Sequence, residues 1–196
     1  ANVVGCDGFI AVGQGAGGHA GPNPIHILVE ALKREYPSKP VIAAGGIATG
    51  RSLYSVIGAG ASGASVGTRF IASEEAEVNE SYKNAVVSAG MKDIVLTTRL
   101  SGTPCTVIDT HDVRRIGLKQ NWLERYLSRK PKTKKLFKTL VQYRGLKWLE
   151  KSTVANNYKR IWSAGQSSEM VESVLTCEKI IETMISEFYD QRNKVE

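Results

Sequence analysis

Pro40 to Leu53 reads PVIAAGGIATGRSL, and three features of this stretch decide the fold. Val41 to Ala44 is wholly apolar, Gly45-Gly46 breaks the run, and Thr49 stands as a helix cap before Leu53, Val56 and Ile57. That spacing predicts a strand, a glycine turn and a helix from about Thr49 to Gly58. The same order recurs on both sides. Upstream, DGFIAVG (7–13) runs into a glycine-rich loop and then PIHILVEALKREY (24–36), where Ile25, Leu28, Val29 and Leu32 recur at helical spacing behind Pro24. Downstream, GASGASVGTRF (60–70) reads as a small-residue strand ending in Gly67-Thr68, ahead of an acidic helix start, ASEEAEVNESYKNAVV (72–87). Three consecutive βα units imply a parallel sheet. The strands are apolar without alternation, so both sheet faces are expected to be covered.

Beyond residue 90 the rhythm changes. DIVLTTRLSGTPCTVID (93–109) predicts two short strands around the turn Ser101-Gly102-Thr103-Pro104. A basic segment follows, with helices broken near Pro131 and Gly145. After Ala164-Gly165-Gln166, SEMVESVLTCEKIIETMISEF (168–188) predicts one long amphipathic helix. Its apolar side would carry Met170, Val171, Val174, Ile180, Ile181, Met184 and Ile185.

The 196 residues are 42% hydrophobic and 23% charged, enough to bury a core. No apolar run approaches the ~18 residues of a membrane helix. The opening ANVVGCDGF lacks the basic flank and apolar length of a signal peptide. Cys6, Cys105 and Cys177 are odd in number and widely spaced, which argues against disulfides and zinc. A reduced cytoplasmic protein without a membrane partner or metal is expected. The net charge of +7 is uneven: residues 114–160 hold fifteen Lys/Arg against two Asp/Glu. That block suits a solvated helical face, or an acidic partner or nucleic acid. Its aromatics fall among Leu and Ile at helical spacing, which fits packing better than base stacking.

Ligands of parallel α/β proteins sit at the carboxyl ends of the strands, and all three glycine clusters lie there. Gly45-Gly46 and Gly67-Thr68 offer free backbone N–H groups with no Cβ in the way, as a phosphate cradle requires, although a tight turn would use the same glycines. The first cluster, GQGAGGHAG (13–21), encloses one acid–base side chain, His19. His26 and His111 have no such surroundings and read as ordinary surface or core histidines.

GQGAGGHAG, PVIAAGGIATGRSL and GASGASVGTRFIASEEA together resemble the nitronate monooxygenase family, formerly 2-nitropropane dioxygenases, closely from Val4 to about Glu75. AGQ (164–166) and the final helix match more loosely. The resemblance implies an α/β fold, the C-terminal part of a (β/α)8 TIM barrel, with the motifs at its last three strand ends. Residues 1–75 would form strands six to eight with FMN loops, 76–163 a mainly helical basic lid, and 164–196 the AGQ turn and closing helix. A barrel takes about 200 residues at least, so five preceding units are expected outside this sequence. By the same resemblance Gly45, Gly46, Gly67 and Thr68 would hold the FMN phosphate, and Gln14, Gly17, Gly18 and Gln166 would lie beside the flavin. His19 would be the catalytic acid–base residue in the oxidation of alkyl nitronates with O2.

Two positions depart from the family pattern. Gly15-Ala16 stands where an acidic residue is usual, and Ala61-Ser62-Gly63 replaces Ala-Asp-Gly. The related flavin-dependent enoyl-acyl-carrier-protein reductase has a very similar Gly-Gly-His loop, and quinone reductases share the scaffold. Such a reductase would use NAD(P)H, act on an enoyl thioester and dock an acidic carrier protein. A homodimer is expected in either case. A non-enzymatic nucleic-acid-binding module is the alternative from another class, and it predicts salt-dependent binding without flavin.

Overall fold

The computed structural model describes residues 5–100, 103–119 and 161–195, together with residues 139 and 143. Three short strands, β1 (Phe9–Val12), β2 (Val41–Ala44) and β3 (Gly63–Ser65), form a parallel sheet in that order. Phe9 pairs with Val41, Val12 with Ala44, and Ala44 in turn with Ser65. Helix α1 (Ile25–Glu35) crosses from β1 to β2, and α2 (Gly50–Gly58) from β2 to β3. The expected cap of α2 is present. Thr49 Oγ1 accepts from the Ser52 amide at 3.2 Å, and Ser52 Oγ accepts from the Thr49 amide at 3.0 Å. Two orphan amide donors of the first turn are thereby satisfied.

Val41, Ala43 and Ala11 pack beneath the helices with Val29, Val56, Ile180 and Met184. Val29, Val41 and Ile180 are fully buried, and such side chains each contribute about 1.5–3 kcal/mol by leaving water. The opposite sheet face has no covering element among the described residues. Ile10 is 70% exposed, and Val12 also stands open. Helices α1 and α2 pack on one side, and along β1 and β2 the more buried residues alternate with less buried ones.

After β3 come a single helical turn, α3 (Thr68–Ile71), and α4 (Glu80–Ser88). The acidic stretch 73–77 is not the start of that helix. The α4 cap is Asn79, whose side chain accepts from the Ser81 amide. The expected strand pair is present as β4 (Ile94–Thr97) and β5 (Cys105–Ile108), antiparallel with Ile94 opposite Ile108. Helix α5 (His111–Ile116) follows, capped by Thr110. Most of the basic segment, with its expected helices broken near Pro131 and Gly145, lies outside the described residues.

The expected long helix from Ser168 is also corrected. Gln166–Met170 forms a 3-10 turn, an extended stretch follows, and α6 runs from Cys177 to Val195. Leu175 bridges Ser73 in parallel, and both Glu75 carboxylate oxygens accept from the Cys177 amide at 2.9 Å. The acidic stretch therefore serves as the cap of a helix a hundred residues away. Of the seven apolar positions assigned to one side, Ile180 and Met184 are buried on α6, whereas Ile181 and Ile185 are half exposed. Helix α6 packs closely on α2: a Cβ at Gly50 would collide with Met184 O and Phe188 N.

Candidate active site

The glycine loops meet at the carboxyl ends of the strands around a cavity of about 410 Å3. Pockets that hold organic ligands fall in the range of about 300–1,000 Å3. One wall is the loop after β1, contributing Gly15, Ala16, Gly17 and His19. The floor comes from Ala44, Gly45, Gly46 and Ile47 after β2, and from Ser65, Gly67 and Thr68 after β3. Ile71, Tyr82, Ser163 and Ser167 complete the lining.

Local backbone geometry explains the glycines. Gly45 and Gly46 have φ of 103° and 78°, a region that side-chain-bearing residues rarely adopt. The turn brings the Gly46 amide to Gly15 O at 3.1 Å and so joins the first two loops. A Cβ at Gly45 would lie 2.6 Å from the Ala16 nitrogen, whereas one at Gly46 or Gly67 would meet no heavy atom within 4 Å. These last two positions therefore leave unfilled space against the backbone, where a phosphate-bearing group fits. The departure at Gly15 has a steric reason too: a Cβ there would stand 3.1 Å from Gly46 Cα. Ser62 replaces the usual Asp in β3's approach and accepts from the Val41 amide at 3.3 Å.

His19 is exposed at the mouth of this cavity. Thr68 is buried, and its Oγ1 accepts from the Gly165 amide at 3.0 Å, fastening the AGQ turn to the end of β3. Of the expected site residues, Gly17, His19, Gly45, Gly46, Gly67 and Thr68 share the cavity. Gln14, Gly18 and Gln166 do not line it. Gln14 is exposed and its amide donates to Asn23 O, Gly18 pairs with Thr106, and Gln166 is exposed at the start of the 3-10 turn.

Sequence reasoning missed Tyr82, Ser163 and Ser167. The Tyr82 hydroxyl donates to Ser163 O, and its ring stacks on Trp162 with centroids 5.6 Å apart. Burial pushes the Tyr82 phenol far above its ordinary range, so it remains a neutral donor. Burial likewise raises the Cys105 thiol, which disfavours the reactive thiolate. Only the serines beside the AGQ turn carry a local hint, because they flank a motif already singled out.

Parallel βα units with a glycine-lined cavity and one imidazole at their carboxyl ends define an α/β protein of the barrel-forming, ligand-binding class. The family model of nitronate monooxygenase matches residues 1–187, and the chain belongs to that family. A probable nitronate monooxygenase of Staphylococcus saprophyticus is 26% identical over 97% of this chain and 53% of its own length. A Mycobacterium tuberculosis protein named as a hydroxy-methyl-oxo-octahydroindene-carboxyl-CoA dehydrogenase is 35% identical over 57% of the chain and 32% of its own length. Among solved structures, FabK from Thermotoga maritima superposes with a TM-score of 0.79 at 29% identity, covering 99% of this chain and 58% of that one. The chain thus spans little more than half of these proteins at most. Family and structural likeness together give its βα units the TIM-barrel type of fold.

Proposed function

We propose that the protein is an FMN-dependent oxidoreductase that oxidises alkyl nitronates and nitroalkanes with O2, with His19 as the acid–base residue. One observation carries this reading: His19 and the space left at Gly46 and Gly67 open onto a single cavity in a chain of the nitronate monooxygenase family. Gly45, Gly67 and Thr68 would hold the FMN phosphate through backbone amides and a hydroxyl, and Gly46, whose own amide is bonded to Gly15 O, would leave the room beside them. The flavin, once bound, supplies the electron chemistry, and the chain supplies position and proton handling.

The imidazole of His19 takes the proton from the carbon bearing the nitro group when a neutral nitroalkane enters. With a preformed nitronate it donates a hydrogen bond to a nitro oxygen instead. An imidazole suits both tasks near neutral pH. Tyr82, neutral and bonded to Ser163, would fix the position of that part of the lining. These three units would be the last three of the barrel, with residues 76–163 inserted before the closing helix. A cytoplasmic location belongs to the same proposal; separately, no described helix is long and apolar enough to cross a membrane.

The test is steady-state oxygen consumption with ethyl nitronate and no nicotinamide cofactor. The reading expects turnover in the wild type and its loss in His19→Asn with flavin retained. Flavin-loaded protein that is inert to the nitronate would overturn it.

A second reading is favoured by the Mycobacterium tuberculosis relative, whose name gives a CoA-thioester substrate. On it, the same cavity would serve NAD(P)H-dependent reduction of an enoyl thioester or a quinone. An acidic carrier protein would dock on the basic segment. NADH-dependent flavin reduction together with indifference to nitronate distinguishes it. A homodimer is compatible with both readings.

A further inference from the structure

We propose that Thr106 is a positioning residue for His19, fixing the histidine loop from the β4–β5 hairpin. The inference rests on the reading of His19 as the acid–base group. Thr106 lies on β5 between fully buried Cys105 and Val107, pairs with Leu96 across the hairpin, and is itself buried. Ninety residues away in sequence, the histidine loop meets it as an isolated antiparallel bridge between Gly18 and Thr106. The Gly18 amide donates to Thr106 O at 3.1 Å, and the Thr106 amide donates to Gly18 O at 2.7 Å. Thr106 Oγ1 lies 2.6 Å from Ala16 O and 3.2 Å from Gly18 O. A hydroxyl has one proton, so it donates chiefly to the nearer Ala16 carbonyl.

Two carbonyls around His19 thus owe their direction to one residue. The Gly18 carbonyl belongs to the peptide that enters His19, so its bond to β5 sets where the imidazole starts from the chain. The Ala16 carbonyl precedes Gly17, which lines the cavity. A loop built from Gly15, Ala16, Gly17 and Gly18 has little side-chain packing to hold it, and the outside clamp replaces that packing. The same strand also holds the segment leading to Ser163, where the Ile108 amide donates to Trp162 O at 2.9 Å. Strand β5 therefore braces both the histidine loop and the Trp162 segment, and the Thr106 hydroxyl is the part of that brace a substitution can remove on its own.

Thr106→Val keeps the β-branched shape and the backbone bridge but deletes the hydroxyl. The readouts are the ring proton resonances of His19, assigned against His19→Asn, and the kcat and KM for ethyl nitronate. Thr106→Val is expected to move the His19 resonances while those of His26 and His111 stay in place. It is also expected to lower kcat by about tenfold or more with little change in KM, as misplacement of a reacting group does. Thr106→Ser should recover most of both. Thr97→Val serves as control. It removes a buried hydroxyl bond of the same hairpin, from Thr97 Oγ1 to Leu118 O, without touching the histidine loop. Unmoved His19 resonances with wild-type kcat in Thr106→Val would overturn the inference, as would an equal effect from Thr97→Val. If Thr106→Val does not fold, Thr106→Ala against Thr106→Ser gives the same two outcomes. The resonances are read without substrate, so failure on nitronate would overturn the proposed reaction and leave the positioning role to be decided by the spectra.

Discussion

A methyl group at Gly45 would lie 2.6 Å from the Ala16 amide nitrogen, but one at Gly67 would meet no heavy atom within 4 Å. These two glycines therefore have different duties, and alanine separates them. Gly45→Ala is expected to cost about 1–3 kcal/mol in thermal unfolding of the flavin-free protein, from strain at a φ of 103° and from the collision. Gly67→Ala is expected to leave that unfolding unchanged and to weaken flavin binding about tenfold, some 1.4 kcal/mol, measured by fluorescence titration. An equal loss of stability in both would argue that Gly67 is only a turn residue. At His19, replacement by Asn is expected to lower turnover by about 10²–10⁴-fold while the bound flavin spectrum persists. The glycines and the histidine were legible in the sequence because each sits directly behind an apolar strand. Tyr82, Ser163 and Thr106 were not, because nothing local marks a side chain whose role depends on contacts 80 to 90 residues away.

Glu75 links two elements that look unrelated along the chain. Its carboxylate accepts the Cys177 amide at the start of α6, and that hydrogen bond is the main reason its pKa is held below the ordinary carboxylate value. A lowered folded-state value means that the contribution is present above the unfolded pKa and is lost as pH falls through the folded one. Glu75→Gln is expected to melt below the wild type at neutral pH, and the difference should shrink steadily in acid. A difference independent of pH would remove the capping role. Where α2 meets α6, Gly50→Ala is expected to destabilise by about 1–3 kcal/mol or more, since its Cβ would collide with the α6 backbone. Strand–glycine–helix order and the Thr49 cap were readable because they are short-range features. The start of α6 was misread at Ser168 because the helical period runs on through residues that tertiary contacts hold extended. Both the Ser73–Leu175 bridge and the Glu75 cap come from a distant segment. An apolar strand without alternation cannot say whether its second face has a partner within the described residues, and the face bearing Ile10 has none there.

Among the described residues, three βα units carry most of the cavity, the hairpin bonds the histidine loop from behind, and Ser163 and Ser167 on either side of the AGQ turn complete the lining. The division of labour is plain in the hydrogen bonds. Strand ends supply the floor, Gly165 fastens to Thr68, and β5 fastens to the histidine loop. The chain covers 58% of FabK from Thermotoga maritima. The charge of residues 114–160 was legible in the sequence, but its use was not, because charge alone does not choose between a carrier protein and solvent. The proposed function requires that the cavity hold a flavin which nitronate reduces, with His19 handling the proton. The most direct test is the visible spectrum of the purified protein during anaerobic addition of ethyl nitronate, followed separately by NADH. The expected result is a flavin spectrum that is bleached by nitronate, remains oxidised with NADH, and returns when air is admitted. A folded protein without flavin, or a flavin bleached by NADH and untouched by nitronate, would contradict the account.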